Sequence, residues 1–537
     1  MRAPALRRML IAFLLFRTGE LALWVTLLVW AFERGGSTAA GVIAVVQLVP
    51  ATLVAQLGSV LSDRVPRTRM LRLSYLLQGT AALLTGAGLL LSLPFWGIAL
   101  LGATVTCAMA LTRPVHHALL PEIARTPDEL TAGNAASAAA EGLAAFLGPA
   151  ISGVLLAVIG PGLVFVAMAS AGLVSALITG RLEVLQWSVG DERHSYWSDA
   201  IEGLRTVTRD PAAGILTAMV GGQIIVLGLL DVLAVVLALD IIGTGPSGPG
   251  LITSALGVGA LVGAGLAVFL IGSRRLAPAL AAGILVTSIP IALAGVIPSY
   301  LAALSFFAVA GIGKAFFDVT ARTLLHRNTA PRVLARIFGV QEALLMAGTA
   351  LGAALVPVLV SLLGPQGAFL AAGVLLPVLG MAGWTRVRRL DRTSVLPGPA
   401  LELLRQVPMF AALTEPQLEQ LAKALHPPDR FRAGEVVLSA GEPGDRFYVV
   451  MSGIVQVVKG GRELATLGRG QGFGEIALLR DVPRTATVRA HDDVEVVALA
   501  REDFLLAVTG SERSLRTADR SVQQQLHEQE LGDDDAG

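Results

Sequence analysis

The chain is poor in cysteine, lysine and charge. Cys107 is the only cysteine in 537 residues, so no internal disulfide can form and the spacing of thiolate metal sites is absent. The lysines are Lys314, Lys423 and Lys459 alone, which leaves arginine to carry nearly every positive charge. Charged residues make up 15%, against about 25% in an ordinary soluble domain. Hydrophobic residues reach 54% and mean hydropathy is +0.69, so much of the chain must face lipid. A net charge of +1 supplies no global field for nucleic acid. Neither a nucleophile–base pair nor a metal-ligand cluster is visible, so the chain is not expected to be an enzyme or to hold a metal. The length exceeds one ordinary domain.

What is present, from Leu10 to about Trp384, is a series of apolar runs. Each is roughly 20 residues, the length at which a helix spans the hydrocarbon of a bilayer. About twelve spans are expected, centred near Leu21, Pro50, Ala81, Val105, Pro149, Ser170, Val226, Leu261, Val286, Phe307, Thr349 and Leu375. The first run is too long for a signal peptide, and no small-residue cleavage site follows it.

The connecting loops alternate in charge. Arg2, Arg7 and Arg8 precede the first span. Arg64, Arg67, Arg69 and Arg72 fill the second loop, and Arg113 and Arg125 the fourth. Arg181, Arg193, Arg205 and Arg209 occupy the long middle loop, which includes the amphipathic SYWSDAIEGLRTVTRDP. Arg274 and Arg275, then Arg322, Arg327, Arg332 and Arg336, then Arg386, Arg388, Arg389 and Arg392 continue the pattern. Intervening loops such as LSLPFW, IGPG and LGPQG are almost uncharged. Positive loops stay on the cytoplasmic side, so both termini are expected inside the cell membrane and the span number even. The middle loop divides the spans six and six. LLPEIARTPDEL (Leu119 to Leu130) echoes LLHRNTAPRVL (Leu324 to Leu334), which suggests repeated halves, a transporter architecture.

Two local motifs sharpen that reading. SVLSDRVPRTR (Ser59 to Arg69) resembles the cytoplasmic loop motif of the major facilitator superfamily, with Ser59 and Pro66 in place of its glycines. The resemblance implies a gate built from Asp63, Arg64, Arg67 and Arg69. EGLAAFLGPAISG (Glu141 to Gly153) resembles the Gly-Pro motif of exporters in that superfamily. There Gly148 and Gly153 permit close helix approach and Pro149 bends the helix. Efflux of a small organic or amphipathic molecule is the implied activity.

Carboxylates at membrane depth are costly unless used. Glu20, three residues from Arg17, and Asp231, in mid-span, are candidates for a proton or substrate pathway. Asp318 is a third candidate, although Lys314 four residues earlier on the same helix face can neutralise it. Glu141 and Glu342 are placed nearer the cytoplasmic ends of their spans. His116 and His117 read as interfacial residues at a helix exit.

After Arg392 the composition changes. Pro397-Gly398-Pro399 marks a linker, and Thr414-Glu-Pro-Gln417 reads as a capped helix start. From Phe431 short β-rich runs are separated by glycine, with a hairpin turn at Gly460-Gly461. REDFLLAV and SERSLRTADRSVQQQLHEQEL read as helices, and Asp533 to Asp535 as a solvated tail.

GFGEIALLRDVPRTATVRA (Gly472 to Ala490) combines a glycine that lets backbone approach a ligand, helix-start amides that face an anion, and an arginine fork that matches phosphate oxygens. This stretch, with GEPGDRFYVVMSGIVQVV before it, resembles the phosphate-binding cassette of cyclic-nucleotide-binding domains. The resemblance implies Glu475 on the ribose hydroxyl and Arg484 on the cyclic phosphate, with Gly474, Ile476, Ala477 and Thr485 lining the same pocket. Cyclic AMP is the favoured ligand and cyclic GMP the alternative.

The expected fold is therefore membrane all-α, twelve transmembrane helices in two six-helix halves, plus a C-terminal cytoplasmic β-roll, jelly-roll-like, with flanking helices. The expected division is a transporter domain over 1–390, a linker over 391–408, a nucleotide domain over 409–510 and a C-terminal helix and acidic tail over 511–537. The expected function is a secondary transporter modulated by cyclic nucleotide. A membrane-tethered nucleotide receptor that does not transport is the alternative. A nucleotide-gated channel is disfavoured, because no carbonyl-filter sequence is present.

Overall fold

The computed structural model describes residues 4–62, 66–124, 127–180, 205, 207, 211–270, 275–329, 331–393, 398–411, 413 and 415–509. Asp63, Arg64, most of the middle arginine loop, the segment from Ser511 to Leu531 and the acidic tail lie outside the described residues, as does Thr414. The chain forms two compact units, Met1–Ser394 and Val395–Gly537.

The first unit is helical. Its helices are α1 (Pro4–Ser62), α2 (Arg67–Leu90), α3 (Phe95–Ala110), α4 (Thr112–Ile123), α5 (Pro127–Thr179), α6 (Pro211–Val236), α7 (Gly248–Leu266), α8 (Ala277–Val296), α9 (Tyr300–Asn328) and α10 (Pro331–Thr393). Among the described residues, nine helical stretches are long and apolar enough to cross a membrane. Three of these are about twice a span in length, at 52, 51 and 53 residues. Each double-length helix is interrupted by a glycine in the left-handed region: Gly36 (φ 62°), Gly160 (φ 73°) and Gly364 (φ 72°). A side chain at such a φ is strained, and Pro161 and Pro365 then supply the fixed φ that suits a new helix start.

Helix packing follows from small residues. A Cβ on Gly148 would lie 2.7 Å from the Leu21 Cβ and 2.8 Å from the Thr18 carbonyl. One on Gly153 would lie 2.6 Å from the Ser247 carbonyl. The Gly-Pro stretch of α5 thus touches α1 through one glycine and the start of α7 through the other. Without a hydrophobic drive between helices in lipid, such close backbone approach is what holds them. Pro149 causes no break; the backbone departs from helical geometry only at Gly160.

The second unit holds two four-stranded antiparallel sheets. Its strands are β1 (Asp429–Phe431), β2 (Val436–Leu438), β3 (Arg446–Ser452), β4 (Val455–Lys459), β5 (Arg462–Leu467), β6 (Gly472–Phe473), β7 (Thr487–Ala490) and β8 (Val494–Ala500). The orders are β1-β8-β3-β6 and β2-β7-β4-β5. Lys459 pairs with Arg462 across the two-residue turn, and Gly460 and Gly461 both take positive φ, as a primed hairpin turn requires. Val450, Val455, Phe473, Val488 and Val496 are buried together as one apolar cluster. A second cluster joins the sheet to the helices α11 (Gly398–Gln406), α12 (Glu415–Ala424) and α14 (Arg501–Thr509). Phe447 of β3 stacks on Phe504 of α14 at 4.6 Å within it.

Candidate nucleotide site and buried charges

Between β6 and β7 runs α13 (Glu475–Arg480), a helix of six residues. Gly474 precedes it with φ 91°. A Cβ there would sit 2.5 Å from Arg484 Nη1, so both backbone conformation and space demand glycine. At the far end Asp481 adopts φ 54°, which ends the helix and returns the chain toward Arg484.

Arg484 is 4% exposed and Glu475 1%. A buried guanidinium needs acceptors, and this one finds them in backbone. Nη1 donates to the Gly474 carbonyl at 2.9 Å and Nη2 to the Arg446 carbonyl at 2.7 Å. Nη2 also lies 3.5 Å from the Asp445 carboxylate. The main chain of Arg484 is fixed as well: its N–H donates to the Glu442 carbonyl and its carbonyl accepts from Gly441, each at 2.8 Å. Nε remains buried without a hydrogen-bond partner. That orphaned donor, in an otherwise satisfied frame, fits an anionic acceptor such as phosphate. Burial pushes the guanidinium down from its ordinary value, against Tyr448 and Asp445, yet an arginine stays charged at neutral pH. Burial and then Asp445 push the Tyr448 hydroxyl up.

Glu475, Ile476, Ala477 and Arg484 are buried and Gly474 and Thr485 half-buried, and the Gly474 carbonyl at the start of α13 meets the Arg484 guanidinium. Ile476 and Ala477 lie in the first turn of α13, where amides lack intrahelical partners. Sequence reasoning missed the roles of Asp445 and Arg446, whose loop supplies two of the Arg484 contacts. Their signal was the GDRF inside the flanking segment.

In the helical unit each candidate carboxylate has its own partner. Glu20 is ion-paired with Arg17, and Lys314 Nζ lies 2.8 Å from Asp318 within α9. Asp231 of α6 accepts a hydrogen bond from the Trp24 indole of α1 at 3.2 Å. Of the loop motif, Arg67 is tied to Glu122 and to the Ala118 carbonyl of α4, while Arg69 is exposed. Arg113 is the residue the sequence misplaced. It lies inside α4, not in a loop, 3.2 Å from Glu141 of α5 and 3.9 Å from Glu342 of α10. His116 is also not interfacial. Its ring is buried, stacks on Phe13 at 3.7 Å between centroids, and places Nε2 3.0 Å from Ser137 Oγ. The helix continues to Ile123, so these residues turn inward before the chain leaves the bundle.

Residues 9–276 match the family model Major Facilitator Superfamily, and residues 428–509 match Cyclic nucleotide-binding domain. This chain therefore joins a major facilitator superfamily region to a cyclic nucleotide-binding domain. The second part is 41% identical over 103 residues to a cAMP-dependent protein kinase regulatory subunit of Yarrowia lipolytica, covering 19% of this chain and 27% of that one. It is 40% identical over 89 residues to a cGMP-dependent protein kinase of Toxoplasma gondii, covering 17% of this chain and 9% of that one. The chain thus spans less than a third of these relatives. A bacterial homologue of the human lysosomal transporter Spinster superimposes with TM-score 0.57 at 15% identity, covering 74% of this chain and 99% of that one. The nucleoside transporter NupG gives 0.58 at 12%, covering 71% and 99%. At such identities the likeness is one of fold, and the first unit has the helical transporter fold of the superfamily.

Proposed function

We propose that this protein is a secondary transporter of the cell membrane whose activity is modulated by a cyclic nucleotide held in its C-terminal domain. The observation that carries the proposal is Arg484, buried and framed by backbone carbonyls with its Nε donor unspent, in one chain with a transporter fold. Arg484 takes the cyclic phosphate and Glu475 the ribose hydroxyl, beside the amides of Ile476 and Ala477. Cyclic AMP is the favoured ligand, in keeping with the names of the fungal relatives; the Toxoplasma relative keeps cyclic GMP as the competitor to test.

Counting each of the three double-length helices as two spans turns nine into twelve. The left-handed glycine follows the opening proline by 33 residues in both α5 (Pro127 to Gly160) and α10 (Pro331 to Gly364). That equality supports two repeated halves. The arginine alternation puts both ends and the nucleotide domain in the cytoplasm. The transporter domain is taken as 1–390, the linker as 391–408 and the nucleotide domain as 409–510, with α10 running on through Asp391 to Thr393 and α11, inside the linker range, packing into the core of the second unit. Glu20, Asp231 and Asp318 are proposed for the pathway and Asp63, Arg64, Arg67 and Arg69 for the gate, with outward movement of a small amphipathic molecule.

Purified protein in liposomes, assayed over a panel of amphipathic substrates with and without cAMP, tests the reading. Nucleotide is expected to change flux in the wild type and not in Arg484→Ala. Equal flux changes in both proteins would overturn it.

A further inference from the structure

One buried carboxylate stands where the transporter unit ends. Asp391, in the last turn of α10, is 6% exposed. It accepts hydrogen bonds from two backbone amides at the start of α8, Leu276 N–H at 2.8 Å and Ala277 N–H at 3.1 Å. These amides belong to the first turn of a helix, where donors lack intrahelical partners and the helix dipole favours an anion. The two contacts cross 115 and 114 residues of sequence. They fasten the end of α10 to the beginning of another long apolar helix. α8 in turn packs against both α9 and α10. Three residues after Asp391 the unit ends at Ser394, and the second unit begins at Val395.

We infer that Asp391 is the positioning residue through which nucleotide occupancy reaches the helical unit. The inference rests on the regulated-transporter reading above. Whatever motion the nucleotide domain imparts along the chain enters the helical unit through the end of α10. There the Asp391 carboxylate converts a displacement into a change at the first turn of α8. A carboxylate held by two amides suits this role. The acceptor is strong when seated, and its loss leaves two donors uncompensated, so seated and unseated states are distinct.

The test uses the full chain in detergent, with cAMP as the probe. Hydrogen exchange at Leu276 and Ala277 is followed by mass spectrometry, and nucleotide binding is followed by calorimetry in the same samples. Saturating cAMP is expected to change exchange at those two amides by about 5-fold or more, the lower end of ordinary coupling between sites. Asp391→Asn keeps volume and one acceptor; it should abolish the change and shift cAMP affinity by the same factor, because coupling is reciprocal. At a cAMP concentration that just saturates the wild type, Arg484→Ala, with affinity about 30- to 150-fold weaker, should show little binding heat and no exchange change while leaving the Asp391 contacts in place. Binding with unchanged exchange at Leu276 and Ala277 would overturn this inference alone. Absence of any binding heat in the wild type would overturn the regulated-transporter reading, and this inference with it.

Discussion

Two arginines, one buried and one half-buried, one in each unit, show how differently a guanidinium can be held. Arg484 is framed by main-chain carbonyls of Gly474 and Arg446, with Asp445 farther off. Those partners belong to one small β domain and to turns set by glycine. Arg113 is held instead by two carboxylates, Glu141 and Glu342, on two other helices. Carbonyl partners are neutral, so they hold the cation in place without cancelling its charge, and an incoming anion still gains from it. Carboxylate partners cancel that charge, and a helix movement breaks their contact. The first arrangement suits a receptor and the second a moving joint.

The comparison breaks first at the carboxylates of the helical unit. Asp231→Asn and Glu20→Gln are each expected to abolish transport while the purified protein still unfolds at the wild-type temperature. Full flux across pH in both variants would return Asp231 to a mere partner of Trp24.

Next in size is Arg484. Arg484→Ala is expected to cost ~2–3 kcal/mol of cAMP binding, about 30- to 150-fold in affinity by calorimetry. An unchanged affinity would mean that the backbone frame around Arg484 serves the fold alone.

Gly474→Ala tests the frame without touching the charge. The left-handed backbone costs a side chain about 1–2 kcal/mol, and the added methyl meets Arg484 Nη1 at 2.5 Å. About ten-fold weaker cAMP binding is expected, with Arg484 intact.

Smaller effects separate static pairs from moving ones. A thermal-stability double-mutant cycle on Lys314 and Asp318 should give a coupling of about 0.5 kcal/mol, as for other same-helix pairs. The same cycle on Arg113 and Glu342, at 3.9 Å with Glu342 largely exposed, should stay below ~1 kcal/mol. Transport by Glu342→Gln should nevertheless fall, which a static pair would not produce.

The smallest effect is a null one. Tyr448 is held above its ordinary value, so it stays neutral through pH 6 to 9, and Arg484 stays charged there. Affinity for cAMP should therefore be flat over that range. The sign is specific: a raised tyrosine value favours the neutral folded form, and that stability is lost only as pH rises past the unfolded value near ~10. Tyr448→Phe should remove that alkaline loss from the unfolding profile.

Much of this was legible in the chain itself. Long apolar runs must become helices in lipid, because unpaired backbone cannot stay there. Glycines fixed the turns at Gly460-Gly461 and Gly474, since few other residues accept those φ values. The spacing of Gly474, Glu475 and Arg484 is local, within ten residues, and local geometry is what sequence spacing encodes. By itself, then, the sequence determined the two-unit character of the chain, the membrane-embedded class of the first unit and the local turn geometry of the Gly474–Arg484 stretch. The tertiary structure alone decided which distant charges meet. Arg113 looked like a loop arginine because charge density marks loops, yet α4 carries it inward to Glu141 and Glu342. His116 looked interfacial, yet it packs on Phe13. Trp24 meets Asp231 across 207 residues and Asp391 meets Leu276 across 115. No periodicity records such pairings, because they depend on how helices separated by hundreds of residues are set against one another.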